Sequence, residues 1–368
     1  MKMFIDDIFT TLLKRKKTSG SNKNVRGIQF VERTITDITA EDLSGITKIS
    51  YASFYGCTDL VSVDIPDSVT EIDIRAFAEC ESLTRIMLSN GITKISDFMF
   101  ENCKNLPEIA IPDGVTEICQ SAFKGCSKLT TVTLPSSINK IGVYSISNSV
   151  KHIYYNSDIR SWCNNVSGGS AGHSNGLPIN YTLYFKNSSG EYEIVEDVII
   201  PDGVTELLPY AFNGCQSITS IAMSDSMTIL GYAAFRKCGN LKSVKLSSNL
   251  ISIGDYAFED CENLTEITMP NSVTSMGSLA FGYCSKLTNI VIPNSVTTIG
   301  WWAFIHCSGL TSVRIGNGLT SIDSEAFKNC TALTDIYLDK PEDSLPGAPW
   351  GATNATIHWN TPLPSEEE

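Results

Sequence analysis

Ten of the twelve cysteines in this 368-residue chain fall on a 23-residue ruler. Cys57, Cys80, Cys103 and Cys126 form one run, and Cys215, Cys238, Cys261, Cys284, Cys307 and Cys330 form a second at the same step. Three residues before each of them stands a phenylalanine, from Phe54 to Phe327. A fixed period in the twenties restricts the chain to a repeat architecture. Each unit in such a fold cannot bury its apolar face alone and is stable only when stacked on its neighbours.

The full unit reads C-x2-L-x2-[IV]-x-[ILM]-[PSG]-x2-[VIML]-x2-[ILM]-x4-F-x2-C. One copy is Cys261, Leu264, Ile267, Met269, Pro270, Val273, Met276, Ala280, Phe281 and Cys284. Its apolar residues form two short alternating stretches, which suit strands and not the 3.6-residue period of a long helix. Proline follows the first stretch at Pro66, Pro112, Pro135, Pro201, Pro270 and Pro293, where its missing N–H suits a corner at which the ladder stops. The expected fold class is a repeat solenoid, mainly β with short helical or irregular turns. Two strands per coil build parallel sheets along the axis. About eleven coils at about 4.8 Å each would span roughly 50 Å.

The unit L-x-x-[IV]-x-[IL]-P-x-x-V-T-x-I-x-x-x-A-F-x-x-C resembles the BspA-like class of leucine-rich repeats over roughly residues 43 to 338. This resemblance implies a curved solenoid with a parallel sheet on its inner face. The class occurs in bacterial surface and adhesion proteins, in some protists, and in phage or prophage proteins of gut bacteria. It implies recognition, and it offers no catalytic residues to carry over.

The register is lost once, between Phe123 and Phe212. Ile146 and Ser149 stand where the next Phe and Cys belong, and Ile153, Tyr154 and Tyr155 read as that coil's strand. Residues 157–197 are expected to leave the stack as an insertion. It holds a short helix around Arg160-Ser161-Trp162-Cys163 capped by Ser157 or Asp158, a polar loop over 164–176, and a hairpin about Asn187-Ser188-Ser189-Gly190. Similar SDI-x-SWC interruptions are a device of the resembled class. Residues 1–26 carry seven Lys or Arg against Asp6 and Asp7, a net of +5, which leaves the remainder at -18. Phe4, Ile5, Ile8, Phe9, Leu12 and Leu13 recur there at helical spacing ahead of Lys14-Arg15-Lys16-Lys17, as in an amphipathic docking or membrane-surface helix. The expected organisation is therefore a basic helix or linker (1–26), an N-terminal cap (27–53), repeats (54–156), the insertion (157–197), repeats (198–338), a C-terminal cap (339–361) closed by Trp350 and Trp359, and an acidic tail (362–368). Thr39 and Asp42 have the spacing of a capped turn at the first coil.

Charge narrows the function. A net charge of -13 opposes nucleic-acid binding through phosphate neutralisation, and no apolar run reaches the roughly 18–20 residues of a membrane span. Asp6 and Asp7 interrupt what a secretion signal would need as an apolar core, so a virion-associated or bacterial cytoplasmic location is expected over conventional secretion. The cysteine ladder lacks the paired spacing of zinc sites, and its parallel side chains do not converge as a disulfide requires. Buried reduced thiols are expected, with no metal and no cofactor. Gly168-Gly169-Ser170-Ala171-Gly172 matches G-x-S-x-G, but its flanks of Asn, Ser and Gly lack the strand and helix that hold a nucleophile elbow. A hydrolase acting through Ser170 or Cys163 is the remote alternative, and no catalytic residue is assigned.

Function is then expected on outward positions, in the form of a non-enzymatic scaffold that recognises a protein or glycan. One set lies between the buried residues of the first strand and includes Tyr154, Arg314 and Tyr337. A second lies just before the Phe and includes Tyr210, Tyr232, Tyr256, Trp301 and Trp302, with Phe98 and Tyr144 at equivalent places. Tyr and Trp are common recognition anchors, though such a ridge can also stack on itself. Two further expectations are a homo-oligomer held through the N-terminal helix, and a phage virion component anchored by the same segment.

Overall fold

A computed structural model describes residues 35–167 and 176–363. The basic segment 1–26 with its six apolar residues, the loop residues Ser170 and His173, and residues 364–368 lie outside the described part. Two compact units divide the rest, one built from 35–156 with 176–178 and the other from 157–167 with 179–363.

Each coil contributes a strand of two to four residues, followed in all but the coils of His152, Asp335 and Thr356 by one of two. In the first unit the longer strands run from Asp37–Ile38 to His152–Tyr155, and in the second from Asp197–Ile200 to Thr356–His358. Neighbouring coils pair in parallel with a 23-residue offset, as in Asn289↔Ser312, Ile290↔Val313 and Val291↔Arg314. The short strands form a second parallel ladder, as in Leu207↔Leu230 and Ile253↔Met276. Six coils in the first unit and eight in the second make fourteen among the described residues, three more than the repeat motif suggests. Coils with degenerate sequences, such as those starting at Asp37, His152 and Thr356, still pair their backbones, and backbone pairing does not require the motif.

Inward positions are sealed. Leu264, Val273, Ala280, Phe281 and Cys284 have no exposure, and Ile267, Met269 and Met276 have almost none. The phenylalanines stack from coil to coil with centroids 5.1–5.8 Å apart and planes within 4–14°. Each cysteine after the first of its run donates its thiol to the carbonyl of the Phe 26 residues earlier, at 3.0–3.2 Å, as in Cys80 to Phe54 and Cys261 to Phe235. The position therefore wants a small apolar side chain with one weak donor, and cysteine supplies both. All twelve thiols are free. At the degenerate coil Ser149 takes this place, its hydroxyl within 2.8 Å of the carbonyls of both Cys126 and Leu129.

A third ladder, which the expected two-sheet coil lacks, runs through the Phe-x-x-Cys corner. Alternate N–H groups reach the next coil: Tyr210 to the Tyr232 carbonyl at 2.9 Å, Phe212 to Ala234 at 2.8 Å, and Gly214 to Arg236 at 2.7 Å. The intervening N–H groups close local turns three residues back, Ala211 to Leu208, Asn213 to Tyr210, and Cys215 to Phe212. This alternation forces left-handed backbone at two places per coil. Two residues before the Phe, φ is positive from Ala52 to Trp302; two residues after it, φ is positive at Gly56, Glu79, Asn102, Gly125, Gly214, Lys237, Asp260, Tyr283, His306 and Asn329. No β-branched residue occupies either place, as steric crowding at positive φ requires.

Glycine marks another close approach. After the short strand, a Cβ on Gly254 would lie 2.7 Å from the Leu230 carbonyl oxygen. Exposed pairs keep the same register, among them Lys48–Glu71 at 2.6 Å and Lys104–Glu81 at 2.8 Å, and at such exposure they align coils more than they stabilise them.

The ends are closed by different devices. Thr39 N–H donates to Asp42 Oδ2 at 3.0 Å while Asp42 N–H donates to Thr39 Oγ1 at 3.3 Å, a reciprocal box around a turn. At the other end Phe327 N–H, which has no further repeat to meet, donates to the Trp350 carbonyl at 2.9 Å. The Trp350 ring is fully buried, donates Nε1 to the Pro346 carbonyl at 2.9 Å, and meets Trp359 edge-on at 6.4 Å.

Two outcomes are expected. Tyr256→Ala and Tyr256→Val both remove the ring, but valine at φ 59° should cost about 1–2 kcal/mol more, read as a lower melting temperature; equal melting would remove the steric account. In the folded protein a thiol reagent at neutral pH should modify the half-buried Cys57 and Cys119 first and reach the ten buried thiols only at the rate of unfolding. Burial pushes the thiols of Cys80 and Cys126 up to about 12. Rapid modification of more than two thiols in the folded protein would contradict this packing.

Candidate recognition surface

Strand pairing aligns Ile199, Ala222 and Lys245 in one outward column of the second unit, and Val291, Arg314, Tyr337 and His358 in another, with the exposed Thr268 at the equivalent repeat position between them. Ile199 is 69% exposed and Val291 43%, so apolar side chains face solvent here while the inward neighbours on the same strands are sealed. The equivalent column of the first unit holds Met87, Ala110, Thr133 and the half-buried Tyr154.

The last three members of the second column stack. The Arg314 guanidinium lies 4.5 Å from the Tyr337 ring centroid, and Tyr337 lies 4.5 Å from the His358 ring with planes 14° apart. His358 Nε2 is 2.8 Å from Asp335 Oδ1. The hydrogen bond from His358, then that from Thr334, holds the Asp335 carboxyl below its ordinary range.

The ridge before the phenylalanines is largely satisfied within itself. Tyr210 is buried, a correction to its expected exposure; the Tyr232 ring of the next coil packs against it. Tyr210 meets Tyr232 edge-on at 5.3 Å, and Tyr232 meets Tyr256 at 5.2 Å. Arg236 lies 5.4 Å over Tyr256 and pairs with the buried Glu259. Leu279 interrupts the row. Beyond it Trp301 stacks on Trp302 at 3.6 Å, Trp302 Nε1 donates to Glu325 Oε2 at 2.7 Å, and Lys328 lies 5.8 Å over the Trp302 ring. Trp301 is exposed and Trp302 half-buried. In the first unit Tyr144 is exposed, and Phe98 lies under Arg75 at 5.0 Å.

The segment after residue 156 contains the helix α1, Ile159–Asn165, with Asp158 Oδ1 accepting from Ser161 N–H as its cap, and the antiparallel strands Thr182–Lys186 and Tyr192–Ile194. Trp162 is the pin. It is fully buried, donates Nε1 to the Ala211 carbonyl at 2.9 Å, and packs on Phe185 and Phe212. Cys163 beside it is also fully buried, and burial pushes its thiol up to about 12. A nucleophilic cysteine needs the opposite shift. A cleft of about 320 Å³ lies between α1, the hairpin and Asp197–Ile200, lined mainly by apolar side chains such as Phe185, Ile194 and Ile199. Among the described residues no group of three or more His, Cys, Asp or Glu is arranged to hold a metal, and no helix is long and apolar enough to cross a membrane.

Sequence reasoning missed the Arg314, Tyr337 and His358 stack as a unit. The 23-residue spacing of the first two was visible, but His358 lies 21 residues after Tyr337 in a coil with no motif.

Known proteins share this architecture. The crystal structure of a leucine-rich repeat protein from Bacteroides ovatus is similar over 92% of this chain and 97% of its own, with 24% identity and a TM-score of 0.51. The pneumococcal vaccine antigen PcpA is similar over 86% of this chain and 85% of its own, with 19% identity and a TM-score of 0.57. A leucine-rich cell surface protein from Faecalibacterium prausnitzii has 28% identity over 81% of this chain and 78% of its own, with a TM-score of 0.47. No functionally curated protein matches the sequence. The description of a BspA type leucine rich repeat region fits residues 24–166, 185–300 and 252–346 in six copies. With most of its length so matched, the chain belongs to the BspA-type leucine-rich repeat family.

Proposed function

We propose that this protein is a non-enzymatic recognition scaffold of the adhesion type, and that the outward face of the longer-strand ladder meets a protein or glycan partner. The observation that carries the reading is the contrast within single strands. Inward residues repeat as Ile, Val or Met, while the outward positions of the second unit run Ile199, Ala222, Lys245, Thr268, Val291, Arg314, Tyr337 and His358. Packing requires the first set to be alike; nothing in the fold requires the second to differ.

The aromatic ridge plays a mainly structural part in this reading. Tyr210, Tyr232, Tyr256 and Trp302 already have ring, cation or carboxylate partners, so a ligand would have to displace contacts made at no entropic cost of association. The buried thiol of Cys163 supports a packing role over a hydrolytic one.

The test uses the full chain against a printed glycan panel and a displayed protein library. A triple variant, Ile199→Ser, Lys245→Ser and Val291→Ser, should lose the hits while keeping its melting temperature. The pair Trp301→Ala and Trp302→Ala should lower the melting temperature and keep the hits. The reverse pattern would move recognition from the sheet face to the ridge.

A further inference from the structure

Arg314 differs from the other arginines among the described residues. Arg75, Arg85 and Arg236 each face a carboxylate at ion-pair distance, and Arg160 donates to the Asp202 carbonyl at 2.6 Å. Among the described residues Arg314 has no oxygen acceptor, and its guanidinium carbon lies 4.5 Å from the Tyr337 ring centroid. Contact through the face of a guanidinium leaves its edge, a fork of N–H donors, available to a ligand. Its nearest column neighbours do not neutralise it. Asp335, on the same strand as Tyr337, is engaged by His358 Nε2 at 2.8 Å and by Thr334 Oγ1 at 2.7 Å.

A cation held rigid, half-buried and unpaired is suited to a planar oxyanion that accepts two parallel hydrogen bonds, and a carboxylate is the common one. The rest of the molecule limits what can carry it. With -13 on the chain and -18 outside the N-terminal segment, a polyanion is on balance repelled by the protein. A ligand with one localised charge on an otherwise neutral body suits that balance. Around Arg314 the outward positions are Ser312 on its own strand, Asn289 and Val291 on the preceding one, and Tyr337 with the already engaged Asp335 on the following one; Ser312 and Asn289 are short polar groups that match sugar hydroxyls in size and polarity.

We propose that Arg314, Tyr337 and His358 form a subsite for the carboxylate of a glycan bearing a single acidic sugar. The inference rests on the sheet face being the recognition surface and names the ligand class at one end of it. Arg314 supplies the bidentate contact, Tyr337 holds its plane, and His358 backs Tyr337 while occupying Asp335.

The test is calorimetric titration of the full chain with 3′-sialyllactose, its carboxyl methyl ester, lactose, a heparin-type hexasaccharide, and a capped pentapeptide with one glutamate. The expected result is that sialyllactose binds at least about tenfold more tightly than its methyl ester or lactose, as loss of a charged hydrogen bond implies, and that the hexasaccharide gains nothing from its extra charges. Arg314→Gln should remove this preference with unchanged melting temperature, and Arg314→Lys should restore only part of it. If sialyllactose and its ester bind alike to the unmodified protein, or Arg314→Gln folds and binds as before, the subsite is wrong. The sheet-face reading would then still stand or fall on its own triple variant, which leaves Arg314 in place. If the glutamate peptide binds as tightly as sialyllactose and needs Arg314, the glycan assignment is overturned in favour of an acidic peptide.

Discussion

The coil-to-coil hydrogen bonds of the Phe-x-x-Cys corner hold the rest of the structure in place. Strand pairing accounts for two sides of each coil, but a strand pair alone would leave the returning chain free to drift. At the corner every second N–H is committed to the next coil, and the residues between are committed to local turns. This fixes the height at which each Phe enters the core, and hence the 5.1–5.8 Å ring spacing, as well as the carbonyl to which each thiol donates. Two residues per coil sit in left-handed backbone as a consequence. Their strain is offset because an unpaired buried N–H would cost as much or more.

Much of this was legible in the sequence, for identifiable reasons. Period, strand character, corner prolines and the family follow from residues that must be alike in every coil, because each packs against its own copy. The third ladder was harder to read, since it is made by backbone and leaves only a negative trace. Gly56, Gly125, Gly214, Asn102, Asn329 and Asp260 at one site, and the absence of Val, Ile and Thr from both, are the signals that positive φ was required. The coils without motif were undercounted because pairing needs only an extended backbone of the right length. Tyr210 was misjudged because what covers it, the Tyr232 ring, comes from the next coil and stands one place out of the ridge's register. The Arg314 column was visible in part; its closing histidine was hidden by a two-residue shortening of the last coil.

The fold separates two kinds of residue within one strand. Inward positions answer to a copy of themselves one coil away, so a change there is felt twice, once on each side. Outward positions answer to solvent, and neighbours in a column can combine into sites that no single coil contains. The stack of Arg314, Tyr337 and His358 spans three coils, each contributing one side chain. Recognition on such a face is composed by stacking order, and shifting one coil would dismantle the site without unfolding the protein.

All three ladders run in the direction in which coils add, and this governs how either unit answers to load. A coil advances the structure by about 4.8 Å but stores 23 residues, about 80 Å of chain when drawn out at roughly 3.4 Å per residue. Tension applied to one end meets the bonds of a single coil before it meets those of the next. A tether made of such coils would therefore yield in steps, each released coil lengthening roughly sixteenfold while the coils behind remain folded, and it would absorb work at nearly constant force instead of failing at once.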